Sequence, residues 1–369
     1  MKNTHLPHVE DMLFITGSPI IPVTYLESMY HFLVGRPEIL TTVTIKYDGS
    51  PAFVFGKDPE NGKFFLGTKS VFSGKVNYCI GDIIRNHKNP ALQIKLEDLF
   101  DALKDIEWDG VYQGDLLWTE NSKTYTDTQF SFCPNTLRYI FPKSIDSEVG
   151  AVIHTKYLGD TFKTMRAVFD FDFPVYQTTK YFLFSPEYVP CLDGISEQEN
   201  SYLRFKLNFL YEICKDYDRE RFAVIMAIRN PKFLEIFQKY VNLSVKTAHT
   251  ITAEGFVEYL RKEFLKHADS LKSQKGKENA ISELNAFQAS FDYNELIRVI
   301  EFYNLVTELK VEMIRKLDTH SNYLIYLPTN VPCGHEGYVM NKFDVPVKFV
   351  DRNTFSAANF NNEKAWLLK

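Results

Sequence analysis

The chain changes texture twice, and few architectures allow that order. From residue 41 to about 190 it reads as strand. TVTIK (Thr42–Lys46) alternates, and AFVFG (Ala52–Gly56) and KFFLG (Lys63–Gly67) flank a turn sequence, Asp58-Pro-Glu-Asn-Gly62. Further strands are expected at Val111–Trp118, Leu137–Phe141, Ala151–Thr155 and Tyr181–Phe184. One helix interrupts them: Asn89 is its N-cap, Pro90 its first residue, and Leu92, Leu96, Leu99, Phe100 and Leu103 its apolar stripe. An earlier helix is expected over Val23–Val34. From about 196 to 319 the pattern is helical, in stretches Asn200–Lys215, Pro231–Val241, Ala253–Ala268 and Tyr293–Leu317, with Ser273–Asn279 the most linker-like. The last stretch carries Leu296, Val299, Ile300, Tyr303, Val306, Leu309, Met313 and Leu317 on one face. Phe205, Phe209, Tyr211 and Phe233 fall at helical spacing and are expected in the core. Strand texture returns at Tyr323–Leu327, Glu336–Met340 and Val345–Val350. This order predicts one α+β domain, residues 1–195 and 322–369, with an all-helical insertion, residues 196–321. Both junctions are polar, Ser196-Glu-Gln-Glu-Asn200 and Asp318-Thr-His-Ser-Asn322, as inserted-domain boundaries tend to be, so limited contact with the core is expected.

Composition narrows the function. A net charge of −5 argues against coating nucleic acid through global charge, while a local basic groove stays open. No run of apolar residues is long enough to span a bilayer, and the N-terminus lacks the basic-then-apolar order of a secretion signal. Five scattered cysteines without CxxC spacing argue against a disulfide framework or structural zinc and fit a reducing cytosol. The nine histidines show no HExxH pattern.

The chemical candidate is Lys46-Tyr47-Asp48-Gly49-Ser50, at the end of a strand. Alone it is weak: K-x-D-G arises by chance in about one chain of this length in ten, and Asp-Gly also makes ordinary turns. Its company raises it. Gly114-Asp115-Leu116-Leu117, Glu336-Gly337-Tyr338-Val339 and Lys348 follow in that order, each on strand texture.

That order resembles the covalent nucleotidyltransferase superfamily: ATP-dependent DNA and RNA ligases and mRNA-capping guanylyltransferases. KYDGS matches their motif I, KxDG, whose lysine is the nucleophile. Gly114–Leu117 looks like motif III, with Asp115 where glutamate is usual. His335–Val339 matches motif IV, and Lys348 looks like the motif V lysine. Thr68-Lys69-Ser70 stands where the family has Ser-Arg, and Val152-Ile-His-Thr155 where it has a strand with Phe-Asp. Ser50-Pro51-Ala52 adds a likeness to ligase-like proteins of tailed bacteriophages. The resemblance covers about residues 41–190 and 322–356. It implies an antiparallel-sheet-rich adenylation domain, ATP and Mg²⁺ as cofactors, and a soluble, cytoplasmic, monomeric enzyme acting on RNA or DNA ends, in the infected host if of phage origin.

The implied roles follow the chemistry. Lys46 takes AMP as a phosphoramidate and must be neutral to attack, although a free lysine has a pKa near 10.4. A second cation and a metal can lower it, and Lys348 is the natural second cation. Lys46, Asp48 and Lys348 are then catalytic, and Lys46, Gly49, Lys69, Asp115, Glu336 and Lys348 bind the nucleotide. Asp115 and Glu336 supply hard oxygens for Mg²⁺. Arg352 is a candidate phosphate contact. Tyr47, Phe53, Phe55 and Phe72 lie close to motif I in sequence; one of them stacking on adenine is weighed against a core role for most. Pro51 stands where DNA ligases and capping enzymes place an arginine, and the few residues after Lys348 leave no room for a C-terminal OB-fold. Both departures favour an RNA-ligase-like enzyme over guanylyl transfer from GTP, and keep in view a degenerate, nucleic-acid-binding phage relative.

Overall fold

The structure, a computed structural model, describes residues 6–191, 195–217, 219–319, 325–327 and 331–356. The first part of the chain forms α1 (Met12–Thr16), α2 (Ile20–Leu33), β1 (Thr41–Lys46), β2 (Ala52–Lys57), β3 (Phe64–Gly67), α3 (Ile80–Asn86) and α4 (Pro90–Leu103). A strand-rich stretch follows with β4 (Val111–Thr119), β5 (Lys123–Tyr125), β6 (Gln129–Phe132), β7 (Arg138–Pro142), β8 (Val149–Leu158), β9 (Arg166–Val168), β10 (Tyr176–Gln177) and β11 (Tyr181–Phe184). Next come α5 (Glu197–Lys215), α6 (Arg219–Ile228), α7 (Pro231–Lys246), α8 (Ala253–Ser270), α9 (Gln274–Ala289) and α10 (Tyr293–Asp318). The chain closes with β12 (Ile325–Tyr326), β13 (Gly337–Lys342) and β14 (Val345–Val350).

The strands make three sheets. One has the order β1-β13-β14, the second β10-β11-β8-β4-β2-β3 with β9 on β8, and the third β12-β7-β6-β5. All pairs are antiparallel except β11 with β8. The fold is therefore mixed α/β on largely antiparallel sheets. Local signals account for several boundaries. Asn89 Oδ1 accepts from the Leu92 amide at 3.1 Å and Pro90 opens α4. Ser196 and Glu199 form a capping box that starts α5. Gly62, at φ 72°, donates to the Asp58 carbonyl at 2.8 Å and closes the β2–β3 turn.

Three expectations in the helical segment are corrected. Ser273–Asn279 is not a linker: Ser273 Oγ accepts from the Gly276 amide at 3.1 Å and starts α9. Phe205 and Phe209 are 67% and 47% exposed, because α5 buries the neighbouring face, Leu203, Leu207 and Leu210. Phe233 is buried as expected, and Tyr211 is half-buried with its hydroxyl on Glu27. The segment also does not close on its own apolar faces. All eight stripe residues of α10 are buried, in one continuous core with residues of α1, α2, β1, β13 and β14. Residues 320–324, where the segment was expected to end and Tyr323–Leu327 to begin, lie outside the described residues.

Ion pairs stitch the same junction. Lys310 of α10 donates to both oxygens of Glu10 at 2.7 and 2.9 Å, and both side chains are fully buried. Arg352 pairs with Asp11 and approaches Glu10 at 3.4 Å, and Tyr303 donates to Asp11 at 2.8 Å. Replacing residues 197–317 with a short Gly/Ser linker is therefore expected to unfold the remainder. Each large apolar side chain withdrawn costs about 1.5–3 kcal/mol against a net stability of about 5–15 kcal/mol. Loss of a cooperative melt checks this; a soluble, cooperatively melting remainder would contradict it.

Candidate active site

Strand register brings the candidate lysines together. Lys46, last residue of β1, lies opposite Gly337, and Lys348 of β14 lies opposite Val339. Positions 337 and 339 are two apart on one strand, so they share a face, and the two lysines share it with them. The other face, Val43, Ile45, Tyr338, Met340, Val347 and Phe349, is buried in the core. Tyr47 continues that alternation: it packs edge-on against Phe184 and donates its hydroxyl to Glu187. Glu336 precedes β13 by one residue and pairs with the Lys46 ammonium.

The motif I loop then crosses to the second sheet. The Ser50 amide donates to the Leu116 carbonyl at 2.8 Å, and the Leu116 amide to the Pro51 carbonyl at 3.1 Å. Gly49 passes so close to β4 that a Cβ there would sit 2.5 Å from the Cβ of Asp115. That approach admits only glycine, and it sets Asp115 beside the loop. Across β8, His154 Nε2 lies 3.5 Å from Asp115 Oδ2, and its Nδ1 2.8 Å from Thr155 Oγ1. Lys69, on a 3₁₀ turn begun by Thr68, is half-buried and feels the Asp115 charge.

Asp48 occupies a different position from the one expected. It is 4% exposed, and its carboxylate accepts from Asn135 Nδ2 at 2.8 Å and from the Thr136 and Leu137 amides at 2.6 and 3.0 Å. Its own amide donates to Tyr139 Oη at 2.8 Å. Both oxygens are occupied, so Asp48 fastens the motif I loop to the segment before β7. Asp48→Ala leaves those donors unsatisfied, and an expected loss of about 2–4 kcal/mol should appear in urea unfolding.

The remaining candidates are likewise placed. Phe53 and Phe55 are core; Phe72 packs on Tyr157 at 4.7 Å. Arg352 is committed to Asp11 and Glu10 rather than open to a phosphate. His335 is 1% exposed, and burial pulls its pKa down to about 4. His154 lies on Val152–Thr155, the stretch set against the family's Phe-Asp strand, and the β4–β8 register is what brings it to Asp115.

Electrostatics corrects one expectation. Burial pulls the Lys46 pKa down, but Glu336, Asp115 and Asp48 outweigh it, and the net direction is up. Lys46 therefore rests protonated. Lys348 is the depressed lysine, brought to about 8 by burial and by the Lys46 and Arg352 charges. Burial raises Glu336 to about 7 against the opposing pull of Lys46. For Asp115, burial pushes up, but His154, Lys46 and Lys69 bring the net direction down.

The Lys348 shift has a stability consequence. A folded-state pKa depressed from 10.5 to about 8 means the charged form burdens the fold. The contribution favouring folding is complete above pH 10.5 and is lost as pH falls through about 8. Lys348→Met is thus expected to be more stable than wild type at pH 7, by about 1–3 kcal/mol, with the gap closing towards pH 10. Urea unfolding at the two pH values checks this.

Both candidate metal ligands act on Lys46, and no group of three or more His, Cys, Asp or Glu forms a metal site among the described residues. Two carboxylates completed by substrate phosphates suit Mg²⁺, which keeps most of its water. Glu336 must release the Lys46 ammonium to take part.

These features define a mixed α/β protein on largely antiparallel sheets, with a lysine–carboxylate cluster where two sheets meet. The chain belongs to a family of unknown function (DUF6267), whose model matches residues 3–364. No curated protein and no solved structure matches it. Among the described residues, no helix is long and apolar enough to cross a membrane.

Proposed function

We propose that the chain is an ATP-dependent nucleotidyltransferase of RNA-ligase-like type, working through a covalent lysyl-AMP at Lys46. The observation that carries this reading is the convergence of Lys46, Glu336, Asp115 and Lys348. They come from segments far apart in sequence and act on one another's charge. A lysine on open surface needs no such company.

Lys46 gives up its ammonium proton, for which Glu336 is the paired acceptor. The free amine attacks the α-phosphorus of ATP; the N–P bond forms as the bond to pyrophosphate breaks. Lys348, on the same sheet face, offsets the charge of the phosphates. Mg²⁺ would be held by Asp115 and the substrate phosphates, with Glu336 as a ligand only while it does not carry the Lys46 proton, and would neutralise charge on the departing pyrophosphate. The AMP then passes to a 5′-phosphate, and a 3′-hydroxyl displaces it to leave a phosphodiester. The partner in this reading is nucleic acid, the chain acts as a monomer, and its compartment is the cytoplasm.

The test is an end-joining assay with 5′-phosphorylated RNA, single-stranded DNA and nicked duplex, each with ATP and Mg²⁺. ATP-dependent joining of at least one substrate is expected, with RNA the most efficient. AMP uptake without joining of any of them would reject the ligase step and leave nucleotidyl transfer alone.

A further inference from the structure

The N-terminal segment adds an edge to the sheet that carries Lys46. The Lys348 amide donates to the Pro7 carbonyl at 2.9 Å, and His8 pairs with Lys348 in parallel register. Residues paired across adjacent strands project to the same face. His8 therefore stands on the face of Lys348 and, through Val339 and Gly337, on that of Lys46. Both lysines act electrostatically on His8, in agreement with this placement.

His8 is 8% exposed. Its Nδ1 is buried and has no hydrogen-bond partner among the described residues. Glu10 Oε1 is 4.0 Å away, beyond hydrogen-bond reach, and that carboxylate already serves Lys310 and Arg352. Burial and the charges of Arg352, Lys348, Lys310 and Lys46 keep the imidazole neutral. Lys348, beside it, forms no salt bridge among the described residues, while Arg352 and Lys310 are both paired. One face of the sheet thus holds a buried ring whose Nδ1 is unsatisfied and, across β13 from Lys46, an ammonium without a salt-bridge partner among the described residues. Buried polar groups are normally satisfied, so this pair is suited to a ligand that brings negative charge and several acceptor oxygens.

We infer that His8 and Lys348 form an anion subsite that holds a phosphoryl group of the nucleotide, His8 through a ring N–H and Lys348 through its ammonium. This rests on the nucleotidyl-transfer reading for the identity of the ligand, and it makes His8 a binding residue. The pairing of residues 7 and 8 with β14 runs through main-chain atoms, so substitution of the His8 side chain leaves it in place.

The probe is inorganic pyrophosphate, titrated while the melting temperature of the full chain is followed, since a ligand that binds only the folded state raises it. His8→Ala is expected to weaken pyrophosphate about tenfold, and Lys348→Met by more, as befits loss of a hydrogen bond to a charged group. His8→Gln, which restores an N–H donor, should bind within about threefold of wild type; it carries the test alone if His8→Ala fails to melt cooperatively. Wild-type affinity in His8→Ala would overturn the subsite, as would His8→Gln binding tenfold or more weakly than wild type, or no pyrophosphate response in the wild type. The readout needs no AMP transfer. A wild type that takes no AMP yet loses pyrophosphate affinity on His8→Ala would remove the nucleotidyl-transfer reading and keep the anion subsite.

Discussion

Incubated with ATP and Mg²⁺, Lys46→Ala is expected to keep its own mass, with no adenylylated fraction at any time. The acid-labile, denaturation-stable phosphoramidate needs a nitrogen nucleophile, and Lys46 is the lysine paired with Glu336 where the sheets meet. Lys348 does not replace it, because β13 separates it from the end of β1. The variant should still fold. The Lys46 side chain is 25% exposed, and burial holds the Glu336 left behind near 7, so it can take up a proton. A carboxyl whose folded pKa is raised adds stability at low pH that is lost as pH rises through that pKa. Without its cation partner, Glu336 is raised further, so Lys46→Ala should lose more melting temperature between pH 6 and pH 8 than wild type does. Robust labelling of a folded Lys46→Ala would remove Lys46 as the nucleophile.

Glu336→Gln is expected to slow AMP uptake by about two orders of magnitude or more, the scale for removing a key electrostatic group from a reaction centre. Its direction is informative. In the wild type Glu336 helps hold Lys46 protonated, and without that carboxylate burial pulls the lysine pKa down. If holding that proton were its whole effect, Glu336→Gln would label faster. A slower variant means that Glu336 is needed to accept the proton or hold the metal. Single-turnover labelling from pH 6 to pH 9 separates these, and an unchanged or faster rate in a folded variant would refute the assignment.

Legibility in the sequence followed the range of the interactions. The Asn89-Pro90 start of α4, the β2–β3 turn and β1 are local, and they stand close to where the pattern put them. Helical spacing places Phe205 and Phe209 on a common side of α5, yet only the tertiary partners of Leu203, Leu207 and Leu210 decide which side is buried. Ser273–Asn279 reads as a linker by composition, whereas the Ser273 cap and the burial of Ala280, Leu284 and Phe287 make it helix. The polar stretches that suggested junctions around the helical segment are silent about α10 sharing its core with α2 and β14. Glu10 and Lys310 lie 300 positions apart and leave no local trace.

The site shows the same division. Residue types and order marked Lys46, Glu336, Asp115 and Lys348, and a glycine where β4 presses closest. They did not reveal that both Asp48 oxygens serve the loop before β7, that Lys46 rests charged, or that His8 joins the same sheet face. Each of those depends on register between distant strands, which one sequence does not display.

The intact mass of the purified wild-type chain, with ATP and with or without Mg²⁺, tests the central claim most directly. A gain of one AMP that requires Mg²⁺ and disappears on acid treatment is the predicted result. An unchanged mass under all conditions, in a chain that melts cooperatively, would contradict lysyl-AMP formation.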